Sequence, residues 1–110
     1  MRLPNGDRAD LGTKLEDYLL NSRHREGGHK PRVFESALGI TLSNGDLLRR
    51  AILWAADNSD DAEPLGNNGH GEIYILRFPL QTQKGIATVL AAWIVRDGED
   101  FRRLITCYIL

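Results

Sequence analysis

The residues with the widest chemical range in this chain are three histidines, one thiol and a cluster of cations. Their spacing excludes several kinds of site before it suggests one. His24, His29 and His70 are the only histidines, and Cys107 is the only cysteine. None shows metal-ligand spacing such as a helical i, i+4 pair or a CxxC, so a zinc site would need assembly from distant segments and no metal is expected. Asp57, Asp60, Asp61 and Glu63 form an acidic run. It lacks the glycine and the distal glutamate of a calcium loop, and reads as a solvated turn. Gly66-Asn67-Asn68-Gly69-His70-Gly71 is glycine-rich but precedes a strand, whereas nucleotide-binding loops follow one and open a helix. It reads as a flexible connection, and no cofactor is expected. Cys107 lies inside an apolar strand pattern and reads as a small buried hydrophobe rather than a nucleophile.

What remains is the basic stretch taken together with the last strand. Arg23, Arg25, Lys30 and Arg32 stand against Glu26 alone, with His24 and His29 between them. Thr106 and Tyr108 are two apart on a strand, so their hydroxyls project from one face. A histidine, a lysine and two hydroxyls around one cleft could cleave RNA without a metal. A base takes the 2′-hydroxyl proton, a cation supports the phosphorane, and an acid protonates the leaving oxygen. His24, Lys30, Thr106 and Tyr108 are the candidate catalytic residues, with Arg32 and Trp93 as substrate contacts. The plainer reading makes Thr106 and Tyr108 sheet residues of good β-propensity, Trp93 core, and His24 and Lys30 surface loop.

The elements that must position these groups fall into two halves. Thr13 and Glu16 form a capping-box pattern, and Leu11, Leu15, Tyr18 and Leu19 recur at helical spacing, so a short helix is expected over 14–20. The stretch 23–30 contains Gly27-Gly28 and no apolar residue, and reads as a loop. Pro31 suits the first position of a second helix whose apolar face is Val33, Phe34, Ala37 and Leu38, with Gly39 as its stop. Ser43 and Asp46 resemble another capping box, opening a third helix with Leu47, Leu48, Ala51, Ile52 and Ala55 as its apolar stripe, ending near Asn58.

After a polar connection over 58–71 the period changes to two. In 72–79, Tyr74, Leu76 and Phe78 point one way and Ile73, Ile75 and Arg77 the other. Residues 86–95 are apolar on both faces, which suggests a strand covered on both sides or one whose second face lines a pocket. In 103–110, strict alternation sets Leu104, Thr106, Tyr108 and Leu110 against Ile105, Cys107 and Ile109. Short connections make these strands antiparallel neighbours, and Leu3 with its neighbours could add an edge strand. The expected class is α+β: two to three N-terminal helices packed on a C-terminal antiparallel meander of three or four strands.

Composition sets the outer limits. The 110 residues suit a single domain, and 42% hydrophobic with 26% charged residues is ordinary for a globular protein. One cysteine fits a reducing compartment, and the polar N-terminus lacks the apolar core of a signal peptide. The ten-residue run over 86–95 is far short of a membrane span. A cytoplasmic location is expected. The net charge of −1 gives no global pull toward nucleic acid.

The order Leu3-Pro4-Asn5, Asp17-Tyr18-Leu19-Leu20, Ser22, His24, Gly27, Lys30, Phe34, Trp93-Ile94 and Leu104-Ile105-Thr106-Cys107-Tyr108 resembles a family of small bacterial proteins classed as a domain of unknown function. The resemblance spans nearly the whole chain. Members typically carry proline after the histidine and after the final tyrosine, where this chain has Arg25 and Ile109. More distantly, helices followed by an antiparallel meander resemble the barnase, EndoU, colicin and RelE group of metal-independent ribonuclease toxins. That resemblance implies histidine, lysine, arginine, threonine or tyrosine over the sheet face, although fold alone does not fix function.

Two functions follow as expectations. One is an RNase-like toxin domain using His24 and Lys30, with RNA as partner. The other is a non-catalytic binding or regulatory module for a small protein, engaged through a sheet edge or the face around Trp93 and Tyr108. A homodimer through an uncovered edge is compatible with either.

Overall fold

The computed structural model describes Leu3, residues 9–12 and residues 29–110. The helix expected over 14–20 lies outside the described residues, as does His24. Among those described, the elements are β1 (Ala9–Asp10), α1 (His29–Leu38), a 3-10 turn (Leu42–Asn44), α2 (Asp46–Asn58), β2 (Glu63–Asn67), β3 (Gly71–Gln81), β4 (Ile86–Arg96) and β5 (Arg102–Ile109). The strands form one sheet in the order β1-β5-β4-β3-β2. β2 to β5 are an antiparallel meander, and the two-residue β1 runs parallel to β5 along its free edge. The α+β class and the helices-before-sheet order are therefore as expected.

α1 ends as its sequence demands. α1 begins at His29, so Lys30 is in its first turn rather than in a loop, and Pro31 still falls where its missing N–H is harmless. It stops at Gly39, whose φ of +69° is the left-handed conformation that only glycine takes cheaply, and whose N–H returns to the Glu35 carbonyl at 2.9 Å. The β3–β4 turn meets one further carbonyl at this end and gives the Glu35 carbonyl a second donor. Thr82 Oγ1 donates to Leu38 O at 2.6 Å, and Lys84 Nζ donates to Glu35 O at 3.0 Å. The expected Ser43 cap does not form. The 3-10 turn intervenes, Thr41 N donates to Asn44 Oδ1 at 2.7 Å, and Ser43 Oγ is hydrogen-bonded to Thr41 Oγ1.

α1 packs across β4 and β5, and α2 against β3. The core lies between them: Phe34 and Leu38 from α1, Leu48, Ile52, Ala55 and Ala56 from α2, then Leu76, Phe78, Val89, Ala91, Trp93, Leu104 and Cys107 from the strands. Leu3 and Leu11 join it from the N-terminal segment. Leu47, expected in the buried stripe, is instead exposed. Burial of this order contributes about 1.5–3 kcal/mol for each large apolar side chain.

Two further expectations are corrected. The connection 58–71 contains a strand, β2, whose five residues are all exposed. With Pro64 in it and a register shift around Leu65, β2 shows neither the alternation nor the burial by which a strand is recognised. On β5 the register against β4 also shifts: Ala92 pairs with Thr106, but Trp93 pairs with Leu104. Ile105 is the extra residue of this bulge. Leu104 thereby joins Cys107 and Ile109 on the core side, and leaves Thr106 and Tyr108 on the other.

Candidate functional site

The face of the sheet turned away from the helices is organised in rows. Register places Tyr108 beside Leu90 and Leu90 beside Arg77, Thr106 beside Ala92 and Ile75, and Arg103 beside Ile94 and Ile73. Paired residues on neighbouring strands share a face, so two hydroxyls, two guanidiniums and an apolar floor lie together here. Thr106 and Tyr108 stand about 7 Å apart along β5. Tyr108 is 39% exposed. Leu90 and Ile94 are buried yet lie outside the core cluster, and Ile94 lines a cleft, which matches the expectation that the second face of β4 borders a pocket.

The cations on this face differ in how firmly they are held. Arg77 Nη1 donates to Glu63 Oε2 at 3.1 Å, with both side chains about half exposed. Such a surface pair contributes about 0–1 kcal/mol and is readily exchanged for another anion. Arg103 is locked. It donates from Nε and Nη2 to the two carboxylate oxygens of Glu99 at 3.1 and 2.9 Å, and from Nη1 to Asp10 Oδ2 at 3.3 Å. Its guanidinium also lies 4.8 Å from the Phe101 ring centroid. The hydrogen bonds from Arg103 hold the Glu99 carboxyl below its ordinary pKa, burial opposes this, and the charges of Arg103 and Arg96 reinforce it.

The sequence candidates distribute unevenly over this geometry. Thr106 and Tyr108 do share a face. Trp93 does not belong with them: it is fully buried on the helix side, with the Arg102 guanidinium 5.3 Å from its ring centroid, so it cannot serve as a surface contact in this fold. Lys30 and Arg32 belong to α1. Their side chains, like His24, lie outside the described residues.

Sequence reasoning missed Arg77 and Arg103 as neighbours of the hydroxyls. The alternation already placed Arg77 with Ile73 and Ile75, but only cross-strand register shows that this face continues onto Tyr108. It also missed Trp54, which is 67% exposed on α2 two turns from Leu47, itself 43% exposed. Among the described residues no helix is long and apolar enough to cross a membrane.

No curated protein and no solved structure matches the chain. A family match covers residues 2–110, in agreement with the resemblance carried by the residues from Leu3 to Tyr108. The chain belongs to the family described as Domain of unknown function (DUF6883).

Proposed function

We propose that this domain cleaves RNA without a metal, with the strand lying on the sheet face that carries Thr106 and Tyr108. The observation that carries the reading is the row arrangement, in which Tyr108 and Thr106 stand beside one another and share a face with Arg77. The order of two helices followed by an antiparallel meander supports it as an analogy of architecture.

The chemistry needs three parts. A base removes the 2′-hydroxyl proton, and the freed oxygen attacks the adjacent phosphorus. The P–O5′ bond then breaks, and an acid protonates the departing O5′, leaving a 2′,3′-cyclic phosphate and a 5′-hydroxyl. Tyr108 and Thr106 hydroxyls hold the phosphate oxygens. Arg77, released from its exposed pair with Glu63, offsets the charge that builds on the phosphorane. Proton transfer falls to His24 on the chemistry of its side chain, which exchanges a proton near neutral pH. Arg77 supplies charge on this face, and Lys30 is the further candidate cation for the phosphorane.

Induced expression in a bacterium, with RNA profiling, tests this. Growth arrest and new RNA 5′ ends that vanish with His24→Ala and with Tyr108→Phe are expected. Healthy cells and intact RNA at high expression contradict it.

A second reading rests on a different observation. An exposed tryptophan in line with an exposed leucine on α2 is the kind of anchor that protein interfaces use. In this reading the domain is a binding module for a small protein. Co-purification of a stoichiometric partner that is lost with Trp54→Ser but kept with His24→Ala favours it.

A further inference from the structure

One row beyond Thr106, the hydroxyl face opens into a cleft of about 730 Å³. Its apolar lining is Ile94 and Ile105, with the edges of the core residues Leu11 and Leu104. Its rim is Asn68 and His70 from the β2–β3 turn, Arg96 and Asp97 at the end of β4, and Asp10 with Arg103 across from them. We propose that this cleft holds one nucleotide of the strand bound on the hydroxyl face, its base against the apolar lining and its phosphate at Arg96 and His70. As a subsite it rests on the RNA-cleaving reading above.

Size and chemistry both fit. The volume lies within the range that holds a small ligand, and the lining combines apolar side chains with a few charged and polar ones. Among the described residues neither Arg96 nor His70 makes a salt bridge, so their donors can meet an anion. Arg103 differs. Its charge is already met by Glu99 and Asp10, and its contact with Phe101 fixes it, so it serves as a rigid wall. A planar guanidinium held in this way is a surface on which a base can stack. Asp97 opposes a phosphate placed beside it, and its carboxylate suits the amino group of a base instead.

The rim is built in advance of any ligand. Asn68 Oδ1 accepts from the backbone N–H of His70 at 2.9 Å and of Gly71 at 3.2 Å, and Asp97 N donates to His70 O at 3.1 Å. Gly71 lies so close to β4 that a β-carbon would clash with the Val95 carbonyl oxygen, so glycine lets the turn carrying His70 sit tight against the end of β4.

The test is an NMR titration of the full chain with adenosine 5′-monophosphate, adenosine and inorganic phosphate in separate arms. The nucleotide should shift the amides of Asn68, His70, Ile94, Arg96 and Ile105, and bind at least tenfold tighter than either fragment. Arg96→Ala, with an otherwise unchanged spectrum, should weaken it tenfold or more. Absence of shifts at millimolar nucleotide, shifts elsewhere, or phosphate binding as tightly as the nucleotide overturns the proposal. Protein that binds the nucleotide here but cuts no RNA removes the cleavage reading and leaves the nucleotide site standing.

Discussion

Single residues on this face carry consequences that separate cleanly. Glu99, held low by its hydrogen bonds from Arg103, binds fewer protons folded than unfolded on the acid side. Its contribution to stability is therefore complete above the ordinary carboxylate range and disappears as pH falls through the lowered value. Thermal melts of wild type and Glu99→Gln should converge on acidification; a gap that stays constant from neutral to acid pH refutes the assignment. Trp93→Ala should cost about 3–5 kcal/mol in chemical denaturation, because it empties a fully buried site against Arg102. Tyr108→Phe, at an exposed position, should stay within about 0.5 kcal/mol of wild type. If both are equally destabilising, the two faces have been assigned wrongly. This contrast marks the limit of what residue type reveals. Trp93 and Tyr108 are both aromatic strand residues in the sequence, and only packing sends one to the core and the other to the surface.

At the level of elements, strong periodicity was legible and register was not. α2 and β3 were readable because their apolar residues repeat at 3.6 and at 2, and Gly39 was readable as a stop because its place just beyond an apolar helical face has few other uses. β2 was not, since an exposed strand containing Pro64 and Gly66 looks like a loop. The β5 bulge was also hidden. Strict alternation put Leu104 with Thr106 and Tyr108, and one extra residue at Ile105 reverses this, as any slip by one must. The hydroxyl pair survived because both its members lie on the same side of the bulge. Two glycines give element-scale predictions of different size. Gly39→Ala meets only ordinary contacts with Lys84, so its cost should be the left-handed backbone alone, about 1–2 kcal/mol. Gly71→Ala must displace β4 backbone and should cost more, about 3 kcal/mol or beyond the overpacking range. The reverse order in urea unfolding contradicts the close contact at the β3–β4 end.

For the molecule as a whole, the division of labour follows from the sheet. Its helix side is a core, and its other side offers hydroxyls, cations and a cleft. In the proposed reading, a net charge of −1 leaves RNA binding to local contacts and not to a global field. With about two phosphates neutralised, the log affinity for single-stranded RNA should fall against log salt with a slope of about −1.4. A slope steeper than about −4 points to a larger basic surface than Arg77 and Arg96 provide. What could not be read from the sequence is which side of the sheet each candidate would occupy, because that depends on pairings between segments tens of residues apart. The central claim is that Tyr108 and its row form the reacting surface. The most direct measurement is cleavage of a labelled oligoribonucleotide by the purified full chain in the presence of a chelator, beside Tyr108→Phe of matched stability. Wild type should leave 2′,3′-cyclic phosphate ends, and the variant should cut at least tenfold more slowly. Equal rates in the two proteins, or no cyclic phosphate from either, contradict the claim.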